Sequence, residues 1–152
     1  MSGAYQLKKY FRLLAGYYGM LQISHLITLT WAGSVLFRTG QMPFPAQPPP
    51  GGWSAQALPY LLAMGILDAA AACLGICFAW SVISKGDLKL KIGLVSTTMA
   101  LTSAGVFAVG TWAAGVWLRY PLSYFGMLLL SFPVFPLFWL LLTADQQQYY
   151  TK

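Results

Sequence analysis

Residues 58–83 read LPYLLAMGILDAAAACLGICFAWSVI, and this stretch decides the fold. At about 1.5 Å of rise per residue, a helix of this length reaches across the roughly 30 Å hydrocarbon core of a bilayer. One residue in it, Asp68, is foreign to hydrocarbon. A carboxylate near mid-bilayer costs about 2.5–3.5 kcal/mol on insertion scales, which the surrounding apolar residues offset. At helical spacing Asp68 shares a face with Gly65, Ala72, Gly75 and Ala79. Small residues let another helix approach closely, so this face is expected to look at protein. The opposite face carries Leu62, Ile66, Cys73, Cys77 and Trp80.

The rest of the chain has the same character. Of 152 residues, 58% are hydrophobic and 8% are charged, where soluble domains carry about 25%. The expected fold is all-α, an integral membrane four-helix transmembrane bundle forming one domain over 1–152. The net charge of +6 does not point to nucleic acid, because the basic residues stand at the ends of apolar runs, where they act as topology signals. Cys73 and Cys77, spaced C-x3-C on one helix, fit neither a disulfide nor a C-x2-C redox motif. They read as small packing residues. The basic N-terminus precedes an apolar run too long for a signal peptide, so it reads as a retained first helix.

Working outward, residues 1–12 interleave Tyr5, Tyr10 and Phe11 with Lys8, Lys9 and Arg12, the pattern of an interfacial anchor. The first helix is expected over 13–37, the second over 58–83, the third over 92–118 and the fourth over 121–143. Between the first two lies a Pro-rich loop, 38–57, whose prolines forbid helix and favour an extended connector. The third helix places Gly93, Thr97, Ala100, Ala104, Ala108, Thr111 and Gly115 at steps of three and four, a seam for helix packing. Ser96, Thr98, Thr102 and Ser103 add hydroxyls. The fourth helix is apolar nearly all round, with Pro133 and Pro136 expected to kink it, and 144–152 reads as a polar tail. Lys8, Lys9, Arg12, Lys85, Lys89, Lys91 and Lys152 fall on one side, against Arg38 and Arg119 on the other. The excess places both termini in the cytoplasm. The expected location is a multi-pass position in a bacterial inner (cytoplasmic) membrane.

One constellation could carry chemistry. His25 lies roughly 18 Å along the first helix from its inner end, and Asp68 roughly 15 Å from the outer end of the second. Antiparallel helices joined in sequence usually pack together, so the two are expected at similar depth. Gln22 and Thr28 share the His25 face at three-residue steps. A His25–Asp68 pair would relieve the burial cost of each group, and it could also shuttle a proton or orient a polar head group, with Gln22 and Thr28 completing the pocket.

Other chemistries find no support. There is one histidine where a bis-histidine haem needs two, no metal-ligand cluster, and neither GxxxxGK[ST] nor GxGxxG. No cofactor is predicted, although a bound lipid, quinone or pigment would suit the pocket. The expected function is therefore non-catalytic: an accessory or structural subunit of a larger membrane protein complex, packing through its helices and the Pro-rich loop, with the lipid bilayer and other membrane subunits as partners. The alternative is a small lipophile-binding protein or enzyme (quinone, sterol or lipid) using His25 and Asp68. For helix packing, the expected positions are Gly65, Ala72, Gly75, Gly93, Thr97, Ala104 and Gly115.

Overall fold

A computed structural model describes residues 2–41, 43, 57–85, 89–113 and 115–150. These form α1 (Ser2–Thr39), α2 (Ala57–Trp80) continued by a π-helical turn (Ser81–Lys85), α3 (Leu90–Ala113), α4 (Val116–Arg119), α5 (Pro121–Ser131) and α6 (Val134–Tyr150). No strand occurs among the described residues. Four segments are long and apolar enough to cross a membrane: Lys9–Thr39, Leu61–Ser84, Leu90–Ala113 and Tyr124–Ala144.

Element boundaries depart from the sequence reading at four places. Residues 2–12 continue α1 rather than forming a separate surface lead-in. The third helix closes at Ala113 instead of running to residue 118, because Gly115 adopts φ +71°, a left-handed conformation that glycine reaches at little cost. The fourth segment breaks once, at Phe132–Pro133, where Phe132 N–H donates to Leu129 O and Phe135 N–H to Phe132 O, three residues back in each case. Pro136 causes no second break. It lies in the first turn of α6, where its missing N–H would have no intrahelical partner anyway. Finally, the tail expected over 144–152 is helical to Tyr150. Of the Pro-rich loop, residues 42 and 44–56 lie outside the described residues.

The core sits toward the end of the bundle that holds the N-terminus. Phe11, Ala15 and Tyr18 of α1 meet Phe78 of α2, Val82 of the π-turn, Leu90 of α3, and Val134, Leu137 and Leu141 of α6. The α6 residues recur at three and four, so the fourth segment has a definite inner stripe, and Phe135 and Trp139 point outward. α2 packs between α1 and α3, and α6 closes the ring between α3 and α1.

Small residues set the closest approaches. A Cβ on Gly19 would stand 2.5 Å from Ala79 Cβ, and one on Gly93 would stand 2.8 Å from the Phe78 ring. Ala72 and Thr97 are fully buried. Three of the expected packing positions are corrected. Gly65 faces open space, Ala104 is exposed, and Gly115 serves the turn after α3 rather than a helix contact. The seam therefore operates only where the ring is closed. Cys73 and Cys77 are also corrected: both are exposed on the outer face of α2, not packed within the bundle.

α5 is held differently. Tyr124 stacks on Trp117 at 4.8 Å and on Phe107 at 6.4 Å, and Trp117 Nε1 donates to Thr111 Oγ1 at 2.8 Å. The Gly115 turn is what folds α4 back so that Trp117 can reach Thr111. Tyr17 of α1 adds a hydrogen bond to Leu130 O at 2.7 Å.

Candidate functional site

α1 and α2 run antiparallel, and their register follows from Gly19 opposite Ala79 and Gln22 opposite Gly75. Continuing that register by one turn along α1 sets His25 opposite Ala71 and Ala72, and Asp68, one turn further along α2, reaches it. His25 Nε2 stands 3.3 Å from Asp68 Oδ2. The pair is not sealed inside the bundle. The His25 side chain is 43% exposed and that of Asp68 21%, so the contact opens onto the α1–α2 flank.

A buried polar column leads inward from this pair. Gln22, one turn along α1, is buried with its Cγ close to Gly75. Tyr18, one turn further, has its hydroxyl 2.7 Å from Ser96 Oγ, and Ser96 Oγ donates to Ala71 O at 2.7 Å. Ser96 has a single hydroxyl proton, and the Ala71 carbonyl takes it, so Tyr18 is the donor in its bond to Ser96. The relay Tyr18 to Ser96 to Ala71 O ties α1, α3 and α2 together. It converges on Gly75, where a Cβ would meet Gln22 Cγ at 2.8 Å, Ser96 Oγ at 2.9 Å and Tyr18 Cε1 at 2.9 Å. Glycine is required there because three side chains already occupy the space.

The expected site residues thus divide. His25 and Asp68 come together, and Gln22 lies beside them on the inner side. Thr28 does not complete the pocket: it is exposed, and its hydroxyl turns back to Ser24 O at 3.0 Å. A threonine in a helix can satisfy itself this way, which removes it from any site built on its neighbour. Sequence reasoning passed over Tyr18 and gave Ser96 no partner. A signal for Tyr18 was present, since it stands four residues before Gln22 and seven before His25 on the same helix face.

Comparisons of the chain with protein-family models, with curated proteins and with solved structures give no match. The site must therefore be read from its chemistry. A carboxylate and an imidazole in contact, open on one side, can hold a proton between them and can exchange hydrogen bonds with one polar group arriving from the flank. Among the described residues no group of three or more metal-binding side chains is assembled.

Removing the relay has a graded cost. Ser96→Ala leaves the Tyr18 hydroxyl, 1% exposed, without an acceptor, and is expected to cost about 1–3 kcal/mol. Tyr18→Phe leaves Ser96 bonded to Ala71 O and should cost about 1 kcal/mol. Thermal unfolding of the detergent-solubilised variants gives the order, and a Tyr18→Phe loss equal to or above that of Ser96→Ala would contradict the assigned proton direction.

Proposed function

We propose that the protein is a non-catalytic subunit of a larger membrane complex, lying in the cytoplasmic membrane with both termini inside, and that it docks through the outer half of α1. The observation that supports this reading is the composition of the uncovered α1 face beside His25. Ser24, Thr28, Thr30, Gly33 and Ser34 are all exposed there, interspersed with Ile23, Ile27 and Trp31. Small and hydroxyl-bearing residues are typical of helix–helix contacts in a membrane, where they allow close approach. The exposed face of α5 differs: Leu122, Phe125, Leu128, Leu129 and Leu130 present bulky hydrocarbon suited to lipid.

The His25–Asp68 contact strengthens the reading. Lipid tails offer no hydrogen bonds, so a half-exposed imidazole at mid-bilayer depth is left unsatisfied unless something polar covers it. A partner helix bearing a polar side chain would do so. The same opening supports a second reading, in which the polar head of a quinone, sterol or lipid fills that position without a protein partner.

Bulky substitutions test the docking face. Ser24→Leu, Thr28→Leu and Gly33→Leu lie on the exposed face of α1, where the Thr28 hydroxyl bonds back to Ser24 O and a Cβ on Gly33 meets nothing within 4 Å, and each is expected to reduce the yield of partner recovered with the solubilised protein several-fold. Leu122→Ala and Leu129→Ala should leave that yield unchanged. Equal recovery with both sets would remove the α1 face from consideration.

A further inference from the structure

We infer that Ser103 of α3 is the third member of the His25–Asp68 site, its hydroxyl donating to the Asp68 carboxylate from the inner side of the bundle. This concerns the side of the site turned away from the flank, and it holds whatever covers His25.

The geometry begins one layer away, at Gly75. A Cβ there would stand 2.9 Å from Tyr18 Cε1 of α1 and 2.9 Å from Ser96 Oγ of α3, so this position of α2 faces both neighbouring helices at once. Seven residues make nearly two turns and return a side chain to the same helix face, about 10.5 Å along the axis. Asp68 stands seven residues before Gly75. Because α1 and α3 run opposite to α2, its counterparts are His25, seven after Tyr18, and Ser103, seven after Ser96. The α1 half of this relation is met directly, since His25 Nε2 lies 3.3 Å from Asp68 Oδ2. The α3 half sets Ser103 beside Asp68 as Ser96 is set beside Gly75. Met64, seven residues before Ala71, is buried as Ala71 is, so α2 remains covered on this side at the depth of Asp68.

Ser103 is 0% exposed, and its Oγ has no hydrogen-bond partner. A hydroxyl on a helix commonly satisfies itself on the carbonyl one turn back. Thr97 and Thr111 of α3 do so, at 2.8 Å on Gly93 O and 2.7 Å on Phe107 O. The Ser103 proton is uncommitted, and a buried hydroxyl in that condition is costly. Asp68 Oδ2 is engaged by His25, and a carboxylate has a second oxygen that accepts as well. The last torsion of an aspartate is soft, so a turn of the carboxylate closes the bond to Ser103. The counterpart of the Ala71 carbonyl, which takes the Ser96 proton, is Met64 O, but a charged carboxylate is the stronger acceptor. With one oxygen on the imidazole and the other on Ser103, Asp68 is held inward. His25 is then the member of the pair that meets a group arriving from the flank.

The test uses the full chain in mild detergent and two readouts. In unfolding, Ser103→Ala is expected to lower the folding equilibrium constant at least about tenfold, the scale of a hydrogen bond to a charged group. In an Asp68→Leu background the same substitution should change it by less than about twofold. The second readout is the infrared carboxyl band of protein labelled with carbon-13 aspartate. The chain has three acids, Asp68, Asp87 and Asp145, so loss of a band in Asp68→Asn identifies that of Asp68. Ser103→Ala should shift this band, and Ser103→Cys, a weaker donor, should shift it less. Ser96→Ala, which breaks the neighbouring relay, should leave it in place. A band that Ser103→Ala does not move would overturn the inference. So would a Ser103→Ala loss that is the same with and without Asp68, which would give the hydroxyl to Met64 O. Should Ser103→Ala fail to fold, Ser103→Cys decides on the same band.

Discussion

Gly75→Leu is expected to lower the stability of the solubilised protein by more than about 3 kcal/mol, while Gly65→Leu, ten residues earlier on α2, should leave it nearly unchanged. A single added carbon at Gly75 already falls within 3.0 Å of Gln22, Ser96 and Tyr18. Neither Tyr18 nor Ser96 can move aside freely, because their hydroxyls are committed to the relay that reaches Ala71 O. Overpacking of one or two carbons costs about 1–3 kcal/mol, and leucine adds four while breaking that relay. The gain in helix propensity over glycine, about 0.8–1 kcal/mol, does not offset this. At Gly65 a Cβ meets nothing within 4 Å, so only the propensity gain remains. Helical signal against temperature in one detergent gives both values. Equal melting of the two variants would mean that α1, α2 and α3 do not converge at Gly75.

His25→Leu and Asp68→Leu are each expected to cost about 1–3 kcal/mol, whereas the double variant should recover most of the loss. Removing one member of a buried ion pair leaves the other uncompensated, which costs about 3–5 kcal/mol in a sealed interior. The His25 side chain, 43% exposed, faces hydrocarbon rather than water, so the relief comes from local thinning of the bilayer or micelle and from water defects, which hold the cost of a lone intramembrane polar group near the insertion-scale range. Replacing both partners by apolar residues removes the uncompensated charge, a change that is often neutral or stabilising. The resulting coupling, about 1–3 kcal/mol, is read from a double-mutant cycle of unfolding in detergent. Strict additivity would show that the 3.3 Å contact carries no energy. The cycle also separates stability from function: a stable double variant that has lost its partner assigns the pair to docking.

These two sites show what the sequence could and could not tell. The helical class and the four apolar spans followed from length and composition alone, because an apolar run of more than twenty residues has few other homes. The meeting of His25 and Asp68 was legible from depth, since both lie near the middle of consecutive antiparallel helices. Gly65 and Gly75 could not be distinguished, because helical spacing reports the face of a helix and not where along it a neighbour approaches. The same limit hid the difference between Thr97, buried where the ring is closed, and Ala104, exposed beyond it. The break after residue 113 was missed for another reason. Gly115 continues the small-residue spacing of α3, and only its φ of +71° reveals that it turns the chain. Thr28 illustrates a third limit, since a hydroxyl that bonds its own helix is indistinguishable in sequence from one that reaches across.

Purification of the wild-type protein from its native membrane in mild detergent, followed by native-gel sizing and mass spectrometry of the same band, tests the docking proposal most directly. The account predicts a band well above the monomer that contains another membrane protein in fixed stoichiometry. A monomer-sized band without any other protein would contradict it, and a lipophile recovered in that band would transfer the His25–Asp68 opening to the second reading.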